Sequence, residues 1–216
     1  MRNHPISPAT EPMQYRAIGL VRGTYCPIDE AKFTRGMLID QNGIEIESVV
    51  LGRMLSLMKR HVKIAEHHLW VVYPRCRNSE HLHLQIGGIW EPSTLISKQQ
   101  KEQYKLEDQT IEGDNYFSIR GELIFTKPDR NEMIIKIRQK PRTSVKKALP
   151  FKIFIKGTMP VNELNNFLSC DVRRVGQELV IESYKSIGAI HYRKDKSGIR
   201  TNTINGDMCT ENNKKD

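Results

Sequence analysis

Cysteine is sparse in this 216-residue chain, and its four copies, Cys26, Cys76, Cys170 and Cys209, stand far apart with no C-x-x-C pair among them. A structural zinc site needs clustered thiolates, and a chain of this length can bury a core without covalent staples. Reduced thiols in a cytoplasmic protein without a cofactor are therefore expected. No run approaches the about 20 apolar residues that cross a bilayer. The opening MRNHPISPATEPMQ holds no apolar segment of signal-peptide type, so neither export nor a membrane span is expected. Catalytic signatures are missing too. There is no G-x-S-x-G, no P-loop, no G-x-G-x-x-G opening a helix and no H-E-x-x-H, and Gly87-Gly88 sits inside a strand pattern with no helix N-terminus after it. An enzyme is not expected.

Positive charge is what the chain has in excess. Lys and Arg number 34 against 25 Asp and Glu, a formal net charge of +9, which favours anionic partners. Its placement is uneven: residues 114–216 hold 20 of the 34 basic side chains but 12 of the 25 acidic ones. The window Lys127–Lys156 alone carries ten basic residues against Asp129 and Glu132.

Period-two patterning dominates. RAIGLVRGTY, IEIESVVL, LWVVY and LHLQIGGIW in the first half, and YFSIRGELIF, MIIKIRQ, FKIFIKG and ELVIESY in the second, are rich in β-branched and aromatic residues. Asn42-Gly43 and the loop TKPDRN read as hairpin turns. Only Gly52–Glu66 has a helical spacing, with Met54, Leu57 and Met58 on one side, and Val161–Leu168 reads as one further short helix. The composition of 1–13 and 191–216 cannot offset the entropy of ordering, so both ends read as disordered, and 93–114 reads as a polar linker.

The two halves echo each other. LVRGTYCP resembles SIRGELIFTKP, while LWVVYPR followed by LHLQIGGIWEP resembles IIKIRQKPR followed by FKIFIKGTMP, with residues 36–67 an extra hairpin and helix of the first half. Gly23 and Gly121 fall inside the long first strand of each half, where a glycine lets a strand curl and pair with two neighbours, the device that closes a five-stranded Greek-key barrel. On these motifs the chain resembles the oligonucleotide/oligosaccharide-binding (OB) fold, including bacterial single-stranded-DNA-binding proteins. HLWVVYPR and LHLQIGGIWEP also resemble a cyanobacterial protein family, a likeness that implies no activity of its own. The expected architecture is mainly β: two tandem OB-like barrels, 14–92 and 115–190, with one or two short helices and flexible termini.

Strand alternation then points to a binding face. In MIIKIRQK, Lys136, Arg138 and Lys140 lie opposite Met133, Ile135 and Ile137; in FKIFIKG, Lys152, Phe154 and Lys156 lie opposite Phe151, Ile153 and Ile155. The loop between them adds Arg142, Lys146 and Lys147, and Arg120 beside Gly121 completes the set. Cations for phosphates and a ring for base stacking suit single-stranded DNA or RNA read with little sequence preference. The alternative is a solvated face whose lysines discourage edge pairing. His67, His68, His81 and His83 invite a metal reading, but no carboxylate or thiol falls at ligand spacing, and ordinary strand-face histidines are favoured. Trp70 reads as core, while Trp90 beside Glu91-Pro92 reads as core or as an anchor for a partner. The expected function is non-catalytic single-stranded nucleic-acid binding by the second barrel. The rival is a scaffold or assembly factor whose first barrel binds a protein.

Overall fold

A computed structural model describes residues 4–29, 31–77, 81–91, 111–139 and 148–190, together with the backbone of 192–194 and 200–202. The first half forms β1 (Arg16–Asp29), β2 (Lys32–Asp40), β3 (Glu45–Val50), α1 (Gly52–His61), β4 (His68–Cys76) and β5 (Leu82–Ile89). The second forms β6 (Tyr116–Lys127), β7 (Glu132–Ile137), β8 (Phe151–Lys156), β9 (Asn166–Val175) and β10 (Glu178–Ala189). Tyr192–Lys194 and Arg200–Asn202 pair as a separate two-stranded ribbon.

Ten strands make one sheet in the order β2-β3-β5-β4-β1-β6-β7-β8-β10-β9, and the extra pairings β1–β2 and β6–β9 close it into two five-stranded rings. In both rings the third strand runs parallel to the fifth. The expected mainly-β chain with two OB-like barrels is therefore present. The repeat, however, is in a different register from the sequence echo. β7 and β8 correspond to β2 and β3, and β9 and β10 to β4 and β5, so the hairpin at residues 36–67 is no insertion. The counterpart of α1 is a single 3-10 turn, Val161–Glu163.

Two helical expectations change with it. Val161–Leu168 is not a helix: after the 3-10 turn, Asn165 takes a left-handed φ of 67° and β9 begins. β9 is masked at its start because Phe167 and Leu168 are both buried, which breaks the phase of an alternation that is regular only from Leu168 to Arg174. α1 stops at His61, short of Glu66, and buries Met54 and Met58 while Leu57 stays 43% exposed. Its contact with the barrel is narrower than the spacing implies.

Local chemistry explains the turns. Asp40 Oδ1 accepts the N–H groups of Asn42 and Ile44 at 2.9 Å each, and Gly43 takes a φ of 78°. Gly23 and Gly121 work by absence. A Cβ on Gly23 would lie 2.2 Å from the Ile39 carbonyl oxygen, and one on Gly121 2.5 Å from that of Lys136. Each glycine thus lets the second strand close in where the first strand is handed from one neighbour to another.

The linker segment 93–110 lies outside the described residues, and the rings are joined by much more than a linker. β1 and β6 pair directly, from Arg16 opposite Arg120 to Gly19 opposite Phe117. Ala17, Phe117 and Ile119 merge both interiors into one apolar cluster that also holds Trp70 and Ile135. Arg174 of β9 forms a buried ion pair with Asp40 of β2, and the Arg75 guanidinium sits 3.8 Å above the Phe151 ring. Of the segment 1–13, residues 4–13 lie against the sheet as a strap. Ile6 is buried with Leu20 and Leu69, and the Ser7 and Pro12 carbonyls accept from Arg16 and Arg120. One isoleucine and a few carbonyls order a stretch whose composition looks too polar to pack. No helix among the described residues is long and apolar enough to cross a membrane.

Candidate nucleic-acid interface

β7 and β8 pair antiparallel with Lys136 opposite Lys152, Ile134 opposite Phe154 and Glu132 opposite Lys156. Opposed residues share a face, while Met133, Ile135, Ile153 and Ile155 turn into the core. The alternation read from the sequence therefore places Lys136, Arg138, Lys152, Phe154 and Lys156 outside. β6 extends the rows: Glu122 lies opposite Lys136, Phe125 opposite Ile134, and Lys127 opposite Glu132. Three rows cross three strands, and the middle one, Phe125–Ile134–Phe154, is apolar.

Phe125 escapes sequence reasoning. Strict alternation sends it inward with Leu123, but an irregularity between the two turns it out, leaving it 40% exposed. With Phe154 it lines a cleft of about 230 Å³ that Lys156 and Glu178 border. No signal in a single strand could have located it, because the bulge shows only in pairing.

Carboxylates interleave with the cations, which the sequence pattern did not reveal. Glu122, only 2% exposed, reaches Lys136 at 3.1 Å and Arg138 at 3.7 Å. Lys156 lies 3.4 Å from Glu132 and 3.8 Å from Glu178. Lys152 alone of these cations is exposed rather than half-buried, and it has no ion-pair partner among the described residues. The face is thus a set of pre-positioned ammonium and guanidinium groups, most of which must leave a carboxylate, at least partly, to meet a phosphate.

Arg120 does not belong to this face. It is 8% exposed, and its guanidinium donates to the Ser169 hydroxyl at 2.7 Å and to the Gln14 and Pro12 carbonyls, with the Phe167 ring 5.9 Å away. Pairing with β9 and the strap cover it, so its role is to fasten the strap to the sheet. Lys140, Arg142, Lys146 and Lys147 lie outside the described residues.

The histidines are dispersed. His68 is buried, with Nδ1 against Glu91 and Nε2 2.9 Å from the Lys63 carbonyl; His67 and His81 are exposed, and His83 stands opposite Arg75. Among the described residues no three His, Cys, Asp or Glu side chains gather as metal ligands would. Burial holds the His83 imidazole below its usual range, with Arg77 and Arg75 adding to that and Glu47 opposing it. Trp70 is fully buried and donates its indole N–H to the Gly23 carbonyl at 2.8 Å, whereas Trp90 is half-buried at the edge of the strap.

Comparison with known proteins follows the two rings. A family model described as PatR RNA-binding protein, N-terminal OB-fold domain, matches residues 17–97, and one described as cyanobacterial OB-fold-like RNA-binding domain, C-terminal, matches residues 119–188. Among solved structures, the Ifi202 HINa domain crystallised in complex with 20bp dsDNA is similar at 12% identity, over 81% of this chain and 96% of that one, with a TM-score of 0.21. No curated protein matches the chain.

Proposed function

The chain belongs to the PatR family of OB-fold RNA-binding proteins, and from that premise we propose that it binds single-stranded nucleic acid, RNA first, without catalysing a reaction. The contact surface in this reading is the outward face of β6, β7 and β8. Its support is the cross-strand register, which sets the Lys136–Lys152 row beside the Phe125–Ile134–Phe154 row. Phosphates spaced along a strand meet the first row, and unpaired bases stack on the rings of the second, at about 1–3 kcal/mol per stacked base. The Phe125–Ile134–Phe154 row on which the bases would stack holds no hydrogen-bonding side chain to read a base edge, so little sequence preference is expected.

The interleaved carboxylates shape the binding law. A phosphate that displaces Glu122 from Lys136 exchanges one ion pair for another. Much of the affinity then comes from stacking, and a duplex, whose bases are already stacked, binds worse than a single strand. Fluorescence anisotropy with a labelled single-stranded RNA over a salt series tests this. The variant Lys136→Ala/Arg138→Ala/Lys152→Ala/Lys156→Ala is expected to bind more weakly and with a flatter salt dependence. Binding identical to that of the parent chain assigns the RNA to another surface.

A further inference from the structure

Unanswered hydrogen-bond donors gather on the first barrel, away from the face just described. Arg16 Nε and Trp90 Nε1 are both shut off from solvent without a hydrogen-bond partner among the described residues. A buried donor left unpaired costs about 1–3 kcal/mol, and native proteins keep few such groups. The two residues that carry them, Arg16 and Trp90, line the same cavity, of about 320 Å³, between the N-terminal strap and the outer surface of β1, β4 and β5. That volume is at the small end of the range for small-molecule sites, about 300–1,000 Å³.

The walls narrow the choice of occupant. Arg16 is fixed by two of its donors, Nη1 on the Ser7 carbonyl at 2.5 Å and Nη2 on the Ser118 hydroxyl at 2.8 Å, which leaves Nε over. Arg120 faces it across the β1–β6 pairing and adds positive potential. Among the described residues no carboxylate lines the cavity. Asp171, an acid whose charge acts on Arg16, already accepts from the Tyr116 and Ser183 hydroxyls at 2.7 Å each. The opposite wall is bare backbone backed by an aromatic ring: a Cβ on Gly87 would lie 2.5 Å from the Tyr73 ring, so only glycine lets the ring and the chain lie together there. Gln14 adds an amide.

A ligand that satisfies these walls is small, carries acceptor atoms on a flat edge and bears negative charge. We propose that the cavity under the strap binds a single nucleotide. The Trp90 indole N–H donates to an acceptor of the base, and Arg16 Nε donates to the phosphate. The nucleotide comes either free or as one residue of a bound strand. The site stands on the other barrel from the β6–β8 face and does not rest on the reading of that face.

The two tryptophans make the test direct, because the indole N–H of Trp70 is sealed against Gly23 and serves as an internal reference. The full chain labelled with nitrogen-15 is titrated separately with uridine or adenosine monophosphate, with inorganic phosphate and with a short single-stranded RNA. A saturable shift of the Trp90 indole resonance with the mononucleotide, Trp70 staying in place, supports the site with a free nucleotide as occupant. A shift with the RNA but not the mononucleotide supports it with a strand residue as occupant. No Trp90 shift at millimolar concentrations of either overturns the proposal, as does a shift that inorganic phosphate reproduces in full. Trp90→Phe keeps a ring and removes the donor. By calorimetry it is expected to weaken binding of the responding probe about fivefold or more, the worth of one neutral hydrogen bond, and undiminished binding overturns the assignment. Repeating the titration on the quadruple alanine variant of the β7–β8 face separates the two sites: the Trp90 response to mononucleotide persists whatever happens to RNA affinity.

Discussion

β3 and β8 hold the same place in their rings, each antiparallel to the second strand and parallel to the fifth. From β3, Glu45 and Glu47 point to solvent, opposite Ile39 and Met37 of β2. From β8, Lys152, Phe154 and Lys156 point outward, opposite Lys136, Ile134 and Glu132. The inward positions are alike in kind: Ile46 and Val50 in one ring, Ile153 and Ile155 in the other. One framework thus carries two opposite surfaces. The fold constrains only the half of each strand that faces the core, and the outward half is where the barrels diverge. The excess of charge in the second half of the chain is the sequence-level trace of that divergence.

The comparison requires a common frame, and the largest effect comes from breaking it. Arg174 and Asp40 join the rings as a buried pair, each side chain 1% exposed. Arg174→Met leaves the carboxylate buried beside an apolar chain and is expected to cost about 3–5 kcal/mol in chemical denaturation. The pH dependence should change as well. Burial pushes the Asp40 carboxyl up, but the Arg174 hydrogen bond and the Ile44 and Asn42 N–H groups outweigh it and hold the carboxyl below its usual range. A carboxyl depressed in the folded state contributes stability that is present above its unfolded pKa and lost as pH falls through the folded one. The parent chain should therefore lose stability on acidification through this range, and Arg174→Met should lose less. An unchanged acid limb would show that the pair does not clamp the rings.

Gly23→Ala and Gly121→Ala test whether the frames are equivalent. Both new methyl groups meet a second-strand carbonyl at a distance no Cβ tolerates, so each should cost about 1–3 kcal/mol through forced backbone shifts. Comparable losses at the two positions sharpen the equivalence, and a loss at only one breaks it. Exchanging the surfaces is the next step. Lys152→Glu/Lys156→Glu gives the second barrel the charge of the first and should weaken single-stranded RNA binding about tenfold at moderate salt. Glu45→Lys/Glu47→Lys should strengthen it by a smaller factor, since the first barrel lacks the ring of Phe154. A gain as large as the loss would mean that charge alone, without stacking, decides affinity.

Much of this was legible in the chain. MIIKIRQK and FKIFIKG alternate so regularly that both faces could be assigned, because one buried side is enough to phase a strand. Asn42-Gly43 and the two strand glycines carried their meaning locally. What escaped is what depends on pairing. Phe125 is turned out by a bulge that exists only against β7, and Glu122 and Glu178 approach Lys136 and Lys156 from other strands. Arg120 looks like a surface cation until β9 and the strap cover it, and Arg174 until Asp40 of β2 meets it from the other ring. β9 itself escaped because the buried pair Phe167–Leu168 breaks the phase at its start, and the matching of the two halves slipped with it, since the echo aligned β4 with β7 instead of with β9.

The smallest effect separates cations that stand free from those that are held. Lys152 is exposed without an ion-pair partner among the described residues, whereas Lys136 lies 3.1 Å from Glu122. A free lysine that meets a phosphate releases about 0.7 of a counterion from a single strand, so Lys152→Ala should lower the slope of log affinity against log salt by about 0.7. Lys136 has already exchanged its counterion for Glu122. Lys136→Ala should therefore move the slope less, yet weaken binding at every salt concentration, because it leaves a nearly buried carboxylate facing the strand with only the more distant Arg138 to offset it. Anisotropy titrations of the two single variants read slope and affinity together. If both slopes fell equally, the carboxylates would be bystanders, and the second barrel would differ from the first by its count of lysines alone rather than by the way each lysine is held.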